Sequence, residues 1–112
     1  MIFCFDLDNV ICRTEGTNYS NSKPYFKVIN KINTLYKNGN KILIFTARYM
    51  GRNNDNLDLA VKEGYESTET QLKEWGINYN KLIFGKPVYD VFVDDKNFSF
   101  EKDWLKEFNK KY

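Results

Sequence analysis

The sequence predicts a single α/β domain over residues 1–112, a three-layer sandwich around a mostly parallel sheet of about four strands. A chain of 112 residues is long enough for one compact core but not for two. Its apolar share of 42% is that of a globular protein. Short apolar runs also alternate with segments of helical periodicity, which is typical of a parallel sheet covered by helices.

Four short apolar runs predict the buried strands of this sheet. Each is rich in β-branched or aromatic residues and is followed within a few positions by a polar or charged residue. They are IFCF within residues 1–5, KILIF at 41–45, KLIF at 81–84 and DVFV at 90–93.

Helices are expected in the intervals between the strands. Apolar side chains recur at helical spacing after Pro24, until Gly39 ends the segment. Two short helices are expected between the second and third strands, one closed by Gly64 and one capped by Ser67. A last helix is expected over about residues 100–110. Right-handed crossovers between parallel strands would give these elements a Rossmann-like arrangement.

The composition excludes several kinds of site. There is no histidine, which rules out Ser-His-Asp and Cys-His systems, a His-ligated zinc and a histidine base. Cys4 and Cys12 are too few for a disulfide scaffold and are expected to be reduced thiols. Seventeen Lys and Arg against fifteen Asp and Glu leave a net charge of +2, too balanced to indicate nucleic-acid binding by itself.

The apolar runs are much shorter than the roughly 20 residues that a membrane span needs. The first run is followed at once by Asp6, whereas a signal peptide has a basic start and a longer apolar stretch. The expectation is therefore a cytoplasmic protein with no membrane partner.

Polar side chains follow each predicted strand, and this pattern indicates an active site. In chain order they are Asp6 and Asp8, Thr46, Lys86, and Asp94 with Asp95. Ligands bind outside the carboxyl ends of the strands in open parallel sheets, so these residues are expected to meet at one edge.

Carboxylates gathered in one small volume repel each other unless a cation lies among them, and an all-oxygen site suits Mg²⁺. A lysine and a hydroxyl beside the metal suit a phosphate group. One aspartate is then expected to act as the nucleophile and to form an aspartyl-phosphate, while the other transfers protons as acid and base.

The same residues resemble the haloacid dehalogenase superfamily. Asp6-Leu-Asp8-Asn-Val is similar to its first motif, and the strand that ends at Thr46 is similar to the second. Gly-Lys86-Pro resembles the third motif, and Val-Asp94-Asp95 resembles the fourth. All four occur in the order found in the superfamily, so a haloacid dehalogenase-like hydrolase core is expected.

The resemblance implies a role for each position. Asp6 would be the nucleophile and a Mg²⁺ ligand, and Asp8 would be the acid/base, with its main-chain carbonyl also on the metal. Thr46 and Lys86 would hold the phosphoryl oxygens. Asp94 would bind Mg²⁺ directly, and Asp95 either directly or through water. The superfamily's dehalogenases lack the second aspartate of the first motif, so Asp8 favours phosphoryl chemistry.

The intervals between the motifs are too short for a cap domain, so a capless phosphatase is expected. The TAR-x-x-G-R stretch from Thr46 resembles small bacterial phosphatases encoded with capsule or surface-polysaccharide biosynthesis. The expected partner is a small sugar or polyol phosphate, chosen by loops or by a partner subunit of a homo-oligomer. Asn9 and Arg48 are further candidates for substrate contact, and residues 9–15 are a candidate flap.

Simpler interpretations remain open for several of these residues. Thr46 could serve only as an N-cap for the segment that follows it. Lys86 and Arg48 could be ordinary surface side chains, and so could Arg52 in the same loop. Asp95 could be a helix-capping residue instead of a ligand.

Two other functions compete with the sugar phosphatase. A phosphatase of nucleotides or polynucleotide ends would need a basic groove with exposed aromatic platforms. A phospho-accepting module similar to response-regulator receivers would use the same residue types. In receivers, however, the acidic pair ends the first strand, whereas here Asp94 and Asp95 follow the last one.

Overall fold

The computed structural model describes all residues, 1–112, as an α/β fold with a three-stranded parallel sheet and three helices. The sheet strands are β1 (Ile2–Asp6), β4 (Lys41–Thr46) and β5 (Lys81–Phe84), in the order β1-β4-β5. A separate antiparallel ribbon joins β2 (Cys12–Arg13) to β3 (Lys23–Pro24). The helices are α1 (Phe26–Lys37), α2 (Leu57–Glu74) and α3 (Trp104–Lys111).

The three sheet strands form where the sequence predicts them, because each buries alternate side chains on one face. That face carries Phe3, Phe5, Ile42, Ile44, Leu82 and Phe84. They belong to one core cluster of 18 residues, which the apolar sides of the helices complete. The opposite face is more open, since Cys4 is exposed and Leu43 and Phe45 are half-buried.

Parallel pairing places the ends of the strands at one edge of the sheet. β1 pairs with β4 from Ile2 opposite Lys41 to Asp6 opposite Phe45. β4 pairs with β5 up to Thr46 opposite Phe84. The side chains that follow these strands therefore emerge close together.

The expectation of a fourth strand at residues 90–93 is wrong. No strand forms there, and the side chains of Val91 and Val93 are 78% and 89% exposed. The physical reason is that an apolar run becomes a strand only when a neighbour satisfies its backbone hydrogen bonds. Here Tyr89 and Phe92 instead pack against each other, with ring centroids 5.2 Å apart.

The two short helices expected between the second and third strands are one continuous helix, α2. Asn56 caps it, because its side chain accepts a hydrogen bond from the Leu59 amide at 3.1 Å. Gly64 does not end the helix. The Tyr49 ring lies against it and occupies the space of a β-carbon, so glycine here makes room for a side chain.

The other helix limits agree better with the sequence. α1 ends before Gly39, whose φ of 89° is the left-handed conformation that favours glycine. α3 begins at Trp104 rather than near Phe100. No helix combines the length and apolar character that crossing a membrane would require.

Candidate active site

The ends of β1, β4 and β5 bring together three of the predicted site residues. Lys86 lies just after β5, and its Nζ is 3.5 Å from Oδ2 of Asp6 at the end of β1. The amide of Lys86 also donates to the carbonyl of Thr46, at 3.2 Å. The sheet edge therefore holds a carboxylate and an ammonium next to each other, with Thr46 joined to Lys86 through the main chain.

The Asp6 carboxylate lies at the edge of the core and has few hydrogen-bond partners. The Leu7 amide donates to its Oδ1 at 2.9 Å, and its side chain is 36% exposed. Burial raises the pKa of Asp6, and the nearby Asp8 adds to this effect. Lys86 and the Leu7 amide lower the pKa, but not enough to cancel the effect of burial.

Lys86 is buried beneath the segment that follows it. Its Nζ lies 5.3 Å from the centre of the Tyr89 ring and 5.2 Å from that of Phe92. Burial by itself lowers the pKa of Lys86, but the Tyr89 hydroxyl and the Asp6 carboxylate outweigh it and raise the pKa above its ordinary value. The side chain is therefore a fixed positive charge at neutral pH.

Thr46 is fully buried at the end of β4, and its side chain caps the turn that follows. Its Oγ1 accepts a hydrogen bond from the Arg48 amide at 3.1 Å. The hydroxyl proton has no acceptor within the protein, but the side chain has no exposed surface through which a ligand reaches it.

Asp8 is held by a buried guanidinium. Arg48 Nη2 lies 2.9 Å from Oδ1 of Asp8, and Arg48 Nε lies 3.0 Å from Oδ2. The Thr14 hydroxyl donates to the same Oδ1 at 2.6 Å. Charge-assisted hydrogen bonds of this paired geometry fix the plane of the carboxylate as well as its position.

Arg48 is 2% exposed and makes further contacts within the protein. Its Nη1 donates to the side chains of Gln71 and Thr68 on α2, at 2.7 and 3.4 Å. Its guanidinium carbon lies 4.9 Å from the centre of the Tyr19 ring. The sequence proposed Arg48 as a substrate contact or a surface side chain, and the structure places it in the interior against Asp8.

The remaining candidates in the loops lie nearer the surface. Asn9 adopts a left-handed φ of 66°, and its side chain accepts a hydrogen bond from the Thr14 amide at 3.1 Å. Asn9 also borders a cavity of about 310 Å³ lined by Phe100 and Trp104. Arg52 pairs with Glu63 at 3.6 Å on the surface.

The two aspartates of the last motif lie in an exposed loop. Asp94 Oδ1 accepts a hydrogen bond from the Lys96 amide at 2.8 Å. Desolvation raises the pKa of the Cys4 thiol on β1, Lys86 lowers it, and Asp6 and Asp94 raise it further. Asp95 makes no side-chain hydrogen bond.

The donor chemistry of these residues fits a hard divalent cation, because it consists of oxygen atoms alone. The superfamily resemblance implies carboxylates from Asp6, Asp94 and Asp95, and the main-chain carbonyl of Asp8, as the ligands of such a cation. No three Asp, Glu, Cys or His side chains are gathered tightly enough in the structure to form a metal site as they stand.

Sequence reasoning missed the residues that hold Asp8 and cover Lys86. Thr14 and Ser22 lie in a stretch whose polarity indicated only a loop, yet both are buried. Nothing in the sequence around Gln71 or Tyr89 indicated a role for either residue. The one available signal was the density of hydroxyl side chains in residues 14–22, which together can form a buried network.

Comparisons with known proteins support the fold. No protein-family model and no curated protein matches the chain. A crystal structure of a structural-genomics target from Vibrio cholerae is similar, with a TM-score of 0.80 and 21% sequence identity. The similarity covers 99% of this chain and 98% of that one. At this identity the likeness shows the α/β fold alone.

Proposed function

We propose that the protein is a magnesium-dependent phosphatase that hydrolyses a small phosphomonoester, a sugar or polyol phosphate, through a phosphorylated Asp6. The observation that carries the proposal is the pair formed by Asp6 and Lys86 at the carboxyl edge of the sheet, 3.5 Å apart. A partly exposed carboxylate with one lysine beside it has free lone pairs for attack. The lysine offers a positive charge to phosphoryl oxygens.

The proposed reaction divides one displacement into two. An Asp6 oxygen attacks phosphorus, the bond to the leaving oxygen breaks, and Asp8 gives that oxygen a proton. Asp8 then takes a proton from a water molecule, which attacks phosphorus and releases inorganic phosphate from Asp6. Lys86 holds the phosphoryl oxygens during both steps.

The proposal includes Mg²⁺, held by Asp6, the main-chain carbonyl of Asp8, Asp94 and Asp95. Bound there, the ion would neutralise the charge that repels a carboxylate from a phosphate. The exposed position of Asp94 and Asp95 supports this assignment, because it leaves their carboxylates accessible to a cation. The finer fold assignment, a capless haloacid dehalogenase-like core of the Rossmann type in a cytoplasmic enzyme, belongs to the same proposal.

One observation favours the alternative of a nucleotide or polynucleotide-end phosphatase. Tyr89 and Phe92 are 42% and 43% exposed, and their rings lie beside Lys86. Exposed aromatic rings next to a phosphate-binding lysine suit a leaving group that stacks, such as a nucleobase. The alternative predicts that Phe92→Ala raises KM for nucleotides but not for sugar phosphates.

The test is phosphate release with Mg²⁺ across a panel of sugar, polyol and nucleoside phosphates and 3′-phosphorylated oligonucleotides. We expect multiple turnover that chelation abolishes and that Asp6→Asn reduces by roughly 10³-fold or more. Asp58→Asn, an exposed aspartate on α2, is the matched control and should retain full activity. Absence of turnover on the whole panel, or activity that survives Asp6→Asn, would refute the proposal.

A further inference from the structure

The hydrogen-bond donors of the Arg48 guanidinium are used within the protein. Its side chain is 2% exposed, and its Nε, Nη1 and Nη2 all donate to protein atoms. Burying a guanidinium costs free energy unless it is paired with a negative charge and hydrogen-bonded. The residue that pairs with Arg48 therefore indicates its role. The only carboxylate paired with it is Asp8.

We propose that Arg48 is a positioning residue that orients the Asp8 carboxylate and leaves one oxygen, Oδ2, for proton exchange with the substrate. This inference rests on the proposed phosphatase function, in which Asp8 is the acid/base. It assigns Arg48 a role other than binding the substrate itself.

The hydrogen bonds at Asp8 distinguish its two oxygens. Each carboxylate oxygen has about two acceptor positions. Oδ1 receives Arg48 Nη2 at 2.9 Å and the Thr14 hydroxyl at 2.6 Å, so both of its positions are filled. Oδ2 receives only Arg48 Nε, at 3.0 Å. The remaining acceptor position of Asp8 is therefore on Oδ2.

A chain of hydroxyl groups enforces this arrangement. Thr14 has one hydroxyl proton and gives it to Asp8. Ser22 lies 2.6 Å from the Thr14 hydroxyl and must therefore be the donor between them. Arg48 Nη2 lies 3.4 Å from Ser22 and donates to it. The donors thus run in one direction from Arg48 through Ser22 and Thr14 to Oδ1.

Two other parts of the fold anchor the guanidinium. Thr68 and Gln71 on α2 accept from Nη1, at 3.4 and 2.7 Å. Gln71 in turn donates to the carbonyl of Tyr19, at 2.8 Å, and the Tyr19 ring lies against Arg48. A lysine in place of Arg48 would keep the charge but could not reproduce a fork of donors that reaches Asp8, Ser22 and Gln71 at once.

The experiment compares Arg48→Lys and Arg48→Ala with the wild type on a phosphomonoester that the enzyme turns over. We expect Arg48→Lys to lower kcat by roughly 10²-fold, the scale of acid–base catalysis, while KM changes by less than about threefold. Added guanidinium should restore part of kcat to Arg48→Ala, but none to Asp8→Asn. Lys37→Ala, an exposed basic residue at the end of α1, should leave both constants unchanged.

Three outcomes would overturn the inference. A rise in KM with unchanged kcat in Arg48→Lys would make Arg48 a substrate contact. A lower thermal midpoint with unchanged kcat and KM would make its role structural only. Guanidinium binding that restores the thermal midpoint of Arg48→Ala but not its kcat would likewise show a structural role only.

A second measurement separates this inference from the proposed function. If the wild type releases phosphate from no substrate, the phosphatase proposal fails, but the pairing of Arg48 with Asp8 can still be measured by unfolding. We expect the unfolding constants of Asp8→Asn, Arg48→Met and the double variant to depart from independence by roughly tenfold or more. Independent effects would show that Arg48 does not hold Asp8 in solution.

Discussion

Asp6 and Asp8 lie two residues apart at the end of one strand, yet their surroundings differ. Asp6 has one amide donor and one lysine at 3.5 Å, and 36% of its side chain is exposed. Asp8 receives a guanidinium and a hydroxyl at hydrogen-bonding distance, and 20% of its side chain is exposed. Partners supplied by distant parts of the chain therefore distinguish two identical residues.

The difference suits the two roles proposed for these residues. A nucleophile must reach phosphorus with a free lone pair, and the sparse surroundings of Asp6 leave its oxygens available. An acid/base must present one oxygen in a fixed direction, and the crowded surroundings of Asp8 do this. Changes on the Asp8 side should therefore affect stability more than changes on the Asp6 side.

The largest effect is expected from Asp8→Ala, because it leaves the buried guanidinium of Arg48 without its counter-ion. Removing one partner of a buried ion pair typically costs about 3–5 kcal/mol of unfolding free energy. Urea denaturation should place Asp8→Ala in this range. The variant that carries Asp8→Ala together with Arg48→Met should recover part of the loss. A cost below about 1 kcal/mol for Asp8→Ala would contradict the description of the pair as buried and coupled.

A smaller loss is expected from Thr14→Val, which keeps the shape of the side chain but removes the donor to Asp8 Oδ1. Leaving a buried acceptor partly unsatisfied costs about 1–3 kcal/mol. Thr17→Val is the matched control, since Thr17 is exposed in the same loop and its hydroxyl makes no hydrogen bond. If both substitutions change the unfolding free energy equally, the hydroxyl chain does not support Asp8.

Local signals in the sequence were sufficient to predict the surroundings of Asp6. The runs before Asp6 and Thr46 and ahead of Lys86 have a period and length that favour buried strands, and parallel pairing then brings their ends together. These three positions are predictable because each depends on its own strand and on a general rule of sheet topology.

The surroundings of Asp8 depend on contacts between segments that are far apart in the chain. No local sequence pattern predicts such contacts. Arg48 is buried because Asp8, Ser22 and Gln71 come from three different segments of the chain and meet around it. The run at residues 90–93 has the same apolar character as β5, but it lacks a neighbouring strand and stays exposed. Gly64 was expected to end a helix and instead accommodates Tyr49.

The smallest stability effect, and one of opposite sign, is expected from Asp6→Asn in metal-free protein. Burial raises the pKa of Asp6 above its ordinary value of 3.8, so the folded protein holds this proton more tightly than the unfolded chain does. As pH rises from 3.8, the unfolded chain releases the proton first, and the wild type loses stability until the pH passes the folded pKa. Asparagine carries no such proton and avoids this loss.

We therefore expect Asp6→Asn to be more stable than the wild type at pH 7, whereas substitutions of Asp8 are less stable. The advantage should be modest, because water screens a side chain that is 36% exposed. It should fade as the pH falls below 3.8, since Asp6 is then protonated in both states. Urea denaturation of both proteins across this pH range, with a chelator present, measures whether Asp6→Asn is the more stable of the two. If Asp6→Asn is less stable than the wild type at pH 7, attraction to Lys86 outweighs the cost of burial. Substitutions of Asp6 and of Asp8 would then both destabilise the protein, by different amounts.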